Sequence, residues 1–167
     1  MRGILIALMM LAIAPFGAAA QTAEQVPLGT FNDWSAYSAN LPSGKVCFVI
    51  SQPQARAPEG LRRDPAYFFV THRPGESVRN EISMQVGFPT QANSAADVSV
   101  GDAAFKLFTE NERAWSDGQS DGQFVEAMRR GSSMEVRTLS GRGNLTTDRY
   151  SLAGVSAALD RINQECP

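Results

Sequence analysis

From Phe31 onward the sequence is a succession of short segments in which apolar and polar residues alternate, each closed by turn residues. A period of two, repeated this often, restricts the chain to β-strands with one buried face. In "FNDWSAYSA", Trp34 and Ala36 fall on one side and Ser35 and Tyr37 on the other; "KVCFVISQ" lies between the turn signal "NLPSG" and Pro53. "QARAPEGLRRD" is a charged, proline-bearing loop, and "PAYFFVTHRP" an aromatic, β-branched run that Pro74 stops. "NEISMQVGFP" sets Ile82, Met84 and Val86 against Ser83, Gln85 and Gly87. "ADVSVGDAAFKLFTENERAWSD" reads as two or three strands joined at "GD" and "NE", and "SMEVRTLS" and "NLTTDRYSL" flank the turn "GRGN". Strands at this spacing predict a mainly β fold, a compact antiparallel β-sandwich or partly closed barrel.

Two segments change period from two to three or four. "SDGQFVEAMRRG" places Phe124, Val125 and Met128 at helical spacing, with Ser120 and Gln123 as a capping box and Gly131 as the C-terminal cap, predicting a short helix near 121–130. Near 152–165 a second helix is predicted, capped by Ser151, with Leu152, Val155, Leu159, Ile162 and Cys166 on one face. Asp160, Arg161, Asn163 and Glu165 fall off that stripe.

Cys166 shares its face with core-forming residues, and Cys47 is the other cysteine of the chain. Their redox state depends on the compartment, which the N-terminus addresses. "MRGILIALMMLAIAPFGAAAQTAEQ" has Arg2, an apolar run from Ile4 to Ala14 and an A-x-A pattern at Ala18 and Ala20. This is the layout of a secretory signal peptide, with an apolar run shorter than the roughly 20 residues that span a bilayer. Residues 1–20 are therefore read as a cleaved leader, 21–29 as a flexible lead-in and 30–167 as one domain, periplasmic or secreted, with no transmembrane segment after cleavage. Oxidising compartments favour a bridge between Cys47 and Cys166; an intermolecular bridge or free thiols are the rivals. An intramolecular bridge would close a loop of 119 residues.

The 15 Lys and Arg against 17 Asp and Glu carry no basic excess, which argues against a nucleic-acid partner. Arg129, Arg130, Arg137, Arg142 and Arg149 make the last third locally basic, a solvated face or a docking patch for an acidic partner or a lipid headgroup. His72 is the lone histidine. A hydrolase would need it between a nucleophile and a carboxylate, yet no G-x-S-x-G elbow occurs. One histidine and two cysteines do not make a zinc site. Asp117, Gln119, Asp121 and Gly122 approximate the start of a calcium loop, but Gln119 stands where Asp or Asn is needed and Met128 where the bidentate glutamate should be. No metal or cofactor is expected. "YFFV", Trp34 and Trp115 are read as sheet core rather than as a ligand-binding aromatic face.

The segments "YFFVTHRPGESVRNEISMQVGFP", "FTENERAWSD", "FVEAMRRGSSMEV" and "GRGNLTTDRYSLAGVSAALDRINQEC" together resemble the invasion-associated locus B family of alphaproteobacterial envelope proteins. The resemblance runs from Thr30 to Cys166 and is most specific in the C-terminal block. It implies a secreted or periplasmic, mainly β protein, with no catalytic residues to carry over. Many members carry a cysteine a few residues after the first tryptophan; Ser38 stands near that place here, so the bridge is Cys47 to Cys166 or none. The expectation is a non-enzymatic binding protein whose partner is an envelope or host protein, with a hydrolase using His72 or a calcium-dependent module as the alternatives.

Overall fold

The computed structural model describes residues 24–167; the leader reading lies outside them. Eleven strands form one antiparallel sheet: β1 Gln25–Phe31, β2 Trp34–Leu41, β3 Gly44–Ser51, β4 Ala55–Ala57, β5 Tyr67–Arg73, β6 Val78–Gln85, β7 Ala95–Val100, β8 Ala103–Glu110, β9 Arg113–Trp115, β10 Ser133–Leu139 and β11 Leu145–Ser151. Their spatial order is β1-β2-β3-β5-β6-β9-β8-β7-β10-β11-β4. The helices are α1 Asp121–Arg130 and α2 Val155–Glu165.

The sheet curls over itself. Phe68 on β5 meets Tyr150 on β11 with ring centroids 5.6 Å apart, and the Trp34 indole Nε1–H donates to the Ser151 carbonyl at 2.9 Å. The edge strands β1 and β4 do not pair with each other, so the barrel is not closed. Into the hollow go alternate residues of the strands, such as Val49, Val70, Ile82, Leu107 and Val136, with Phe124 and Met128 of α1 and Leu159 and Ile162 of α2. Trp34 and Ala36 point inward with them, as the period of two predicts. Among the described residues no helix is long and apolar enough to cross a membrane.

Three local readings need correction. Residues 25–29, expected within a flexible lead-in, form most of β1, which pairs with β2 through a bulge between Pro27 and Gly29. An edge strand tolerates proline because its missing N–H faces away from the ladder. The loop "QARAPEGLRRD" contains the short strand β4, paired with β11. The cap residues also differ. Ser120 makes no side-chain cap hydrogen bond, and Gly131 ends α1 in an extended conformation. Glycine is needed at 131 for space: a Cβ there would lie 2.6 Å from Val100 Cγ1 and 2.9 Å from Leu152 Cδ1.

Ser151 closes β11 and does not cap α2, which starts after Gly154. Gly154 has φ +88°, and a Cβ there would lie 1.9 Å from the Phe31 carbonyl oxygen. Only glycine lets the start of α2 approach β1 so closely. From that start, Val155, Leu159, Ile162 and Cys166 are all buried, as their spacing predicts.

Candidate functional site

Helix α2 carries Cys166 to β3, where its sulfur stands at disulfide distance from that of Cys47, with Cα atoms 6.1 Å apart. Ser38 is opposite Cys47 in the β2–β3 register. The described residues include no free cysteine.

His72 lies beside this pair and is fully buried. Its Nδ1 accepts from the Asn80 backbone N–H at 3.1 Å, which places the ring proton on Nε2, donating to Asn163 Oδ1 at 2.9 Å. Burial pushes the imidazole pKa down, outweighing the hydrogen bond to Asn163 that favours the charged form. Both nitrogens are thus occupied within the fold, and neither faces a serine or a carboxylate. A general base needs a free nitrogen within reach of the proton it takes; here both nitrogens hold β5, β6 and α2 together.

The calcium-like segment places Asp117 Oδ1 on the Gln119 N–H at 3.0 Å, a local turn. Asp121 is buried at the start of α1, and burial raises its pKa. Among the described residues no three His, Cys, Asp or Glu side chains gather as a metal site.

The five arginines are dispersed. Arg129 pairs with Asp160 at 2.9 Å between the two helices, and Arg130 is exposed at the end of α1. Arg149 pairs with Glu135 at 2.5 Å, and Arg137 lies beside them on the outer face of β10. Arg142 occupies the β10–β11 turn, lining a cleft opposite residues 61–64. They do not make one patch.

The outer face of the sheet holds what the sequence reading assigned to the core. On β7, β10 and β11 that face carries charges: Asp97 pairs with Lys106 from β8, and Glu135 with Arg149. Across β2, β3, β5, β9 and β8 it carries a strip of aromatic and aliphatic residues, with Lys106, Glu110 and Arg113 at its margins. One cross-strand row runs Ile50, Phe69, Ser83, Trp115, Phe108 by direct register. Beside it Tyr37 stacks on Phe48 at 5.5 Å, Phe48 lies 6.2 Å from Phe69, and Phe69 lies 6.3 Å from Tyr67. Phe108 is 58% exposed and Trp115 37%. Phe48, Phe69 and Trp115 line a shallow groove of about 740 Å³, with Gln85, Glu110 and Arg113 among its polar groups. Trp34, Phe68 and Val70 do enter the core. The run "YFFV" is apolar at every position, so alternation cannot reveal that Tyr67 and Phe69 face outward; the one available signal is the polar partner Ser83 across from Phe69.

A family model described as "Invasion associated locus B (IalB) protein" matches residues 34–163. The chain belongs to the IalB family. The crystal structure of invasion associated protein B from Bartonella henselae superposes with a TM-score of 0.57 at 17% identity, covering 87% of this chain and 98% of that one. At that identity the likeness shows the fold: the mainly β architecture expected here is that of the Bartonella protein. No curated protein matches the chain. The residues matched by the IalB model include both helices nearly to their ends and the whole aromatic strip.

Proposed function

We propose that this IalB-family protein is a non-enzymatic binding module of the cell envelope or host interface, engaging its partner through the aromatic strip on the outer sheet face. The carrying observation is the division of that face. On β7, β10 and β11 the solvent-facing positions are ion-paired through Asp97–Lys106 and Glu135–Arg149, whereas an aromatic strip crosses the same sheet from β2 to β8, bordered by the Arg73–Glu81 pair. Contiguous exposed apolar area, with Tyr, Phe and Trp together, is the composition of a recognition surface. The Cys47–Cys166 pair supports an oxidising compartment, and with it removal of residues 1–20 as a leader. His72, engaged at both nitrogens inside the fold, weighs against the hydrolase alternative.

Crosslinking in intact cells, followed by affinity capture of the mature protein and mass spectrometry, tests this reading when wild type is run beside a Phe108→Ser/Trp115→Ser variant. A saturable partner recovered with wild type and lost with the variant is the expected result. A partner retained by the variant would move recognition to another face. Recovery of the protein alone from both would sink the binding reading.

A further inference from the structure

Past the end of β6, a cleft of about 690 Å³ opens between the loop before β5 and the β10–β11 turn. Leu61, Arg62 and Arg63 form one wall, Ser140 and Arg142 the other, and Phe88 lies at the base. That volume is within the range of roughly 300–1,000 Å³ typical of small-ligand sites.

Both walls are fastened to the segment that follows β6. The Asp64 N–H donates to the Gly87 carbonyl at 2.9 Å, and a Cβ on Gly87 would lie 2.2 Å from the Asp64 oxygen. On the other side the Gly141 N–H donates to the Pro89 carbonyl at 2.9 Å, and Thr90 bridges to Ser140. The cleft therefore needs no rearrangement to exist, which removes one cost of binding.

Its charge is built unevenly. At the back, the buried Asp148 carboxylate accepts from Arg56 Nε at 3.1 Å and from Arg63 Nη1 at 3.4 Å, so two guanidinium groups share one carboxylate. The Arg63 side chain is only 7% exposed. Its remaining contacts are the Ala57 and Pro58 carbonyls, both to terminal nitrogens, and its Nε has no acceptor among the described residues. Arg62 and Arg142 are exposed and belong to none of the ion pairs of the described residues. Asp64 and Glu112 also line the cleft, leaving an excess of positive charge there: three lining arginines against two lining carboxylates, with Asp148 already shared by Arg56 and Arg63.

We propose that this cleft binds a phosphate group, held by Arg62 and Arg142 from opposite walls and by Arg63 from behind, with Leu61 and Phe88 against the apolar part of the ligand. Guanidinium forks match phosphate oxygens in bidentate fashion, and a phosphate monoester brings close to two negative charges, a phosphodiester headgroup one, to a site with surplus arginine. The group can come from a free phosphate ester or from a phospholipid headgroup. The cleft shares Glu112 with the groove beside the aromatic strip but none of the strip's aromatic residues.

Calorimetry with glycerol 3-phosphate and co-sedimentation with phosphatidylglycerol vesicles, against phosphatidylcholine vesicles, test the proposal at one fixed salt concentration. Arg62→Ala/Arg142→Ala removes no ion pair, so its melting temperature should match wild type while binding falls at least about tenfold, since a hydrogen bond to a charged group contributes about 1.5–3 kcal/mol. Arg142→Lys, which keeps the charge but loses the fork, should fall between the two. Trp115→Ser should bind phosphate as wild type does. Saturable binding of glycerol 3-phosphate identifies a free ester, and binding of phosphatidylglycerol vesicles alone identifies a headgroup. Equal binding by the double variant, or no saturable binding to either probe, overturns the site.

Discussion

His72 stands directly opposite Cys47 in the β3–β5 ladder, so the buried imidazole and the C-terminal clamp occupy one site beneath α2. Asn163 of α2 accepts there from both His72 Nε2 and Arg79 Nη1, while Arg79 Nη2 donates to the Cys166 carbonyl at 3.1 Å. The end of the chain is thus held by a covalent tie and a polar network together.

That network makes stability depend on pH. Burial holds the folded-state pKa of His72 below its ordinary value of about 6.5, so below that pH the unfolded chain takes up a proton that the folded chain refuses. The contribution is complete above about pH 6.5 and is lost as pH falls toward the folded value. Between about pH 7.5 and about pH 5.5, wild type should lose up to roughly 1.4 kcal/mol more than His72→Gln in denaturant unfolding. Burial raises the pKa values of Asp121 and Asp148, which act in the opposite direction; the comparison with His72→Gln cancels them. Identical pH profiles for the two proteins would refute the role of the imidazole.

The bridge itself closes a loop of 119 residues. By chain entropy such a loop contributes about 5 kcal/mol, and removing a native bridge typically costs about 2–5 kcal/mol. Reduction, or Cys47→Ala/Cys166→Ala, should lower stability within that range and raise hydrogen exchange first in α2, whose end the bridge holds. Non-reducing peptide mapping checks the premise: two alkylatable thiols in protein from the envelope would show that no bridge forms.

Most of the fold was legible in the sequence because one face of each strand is buried and the other wet. The pattern in "NEISMQVGFP" survives as buried Ile82, Met84 and Val86, and the turns at Gly101 and Asp102 and at Asn111 and Glu112 separate β7, β8 and β9 as expected. Legibility fails where that contrast fails. "QVPLGTF" hides an edge strand because Pro27 and Gly29 are turn residues by composition, and a bulge accommodates them. The outward Tyr67 and Phe69 are hidden among apolar neighbours. The cluster of Arg56, Arg63 and Asp148 joins residues up to 92 apart, and no local period connects them. Only Arg142 of the phosphate cleft stood among the arginines the sequence drew attention to.

Two glycines with the same left-handed backbone separate strain from crowding. Gly143 has φ +81° with open space around its Cβ position, whereas Gly154 meets the Phe31 carbonyl oxygen at 1.9 Å. Gly143→Ala should cost only the conformational penalty, about 1–2 kcal/mol. Gly154→Ala must also push α2 away from β1, so its loss should exceed that of Gly143→Ala by at least about 1 kcal/mol, an overpacking cost. Chemical denaturation of both variants decides; equal losses would mean that the α2 start moves freely.

Loss of the Asp148 carboxylate should cost about as much as loss of the bridge. The Asp148 side chain is 4% exposed, and burial pushes its pKa up against the pull of Arg56 and Arg63. Replacing it with Asn leaves two guanidinium groups facing each other with no counter-charge, and breaking such a buried pair from one side costs about 3–5 kcal/mol. Asp148→Asn should fall in that range, and the added phosphate of the proposed cleft should restore part of the loss, because an anion there supplies charge that Arg63 then lacks. Arg149, on the outward face of the same strand and paired only with Glu135, provides the contrast: Arg149→Ala should cost no more than about 1 kcal/mol, the scale of an exposed ion pair. A comparable loss for both variants, measured by thermal unfolding, would show that the interior cluster is not the electrostatic centre of the fold.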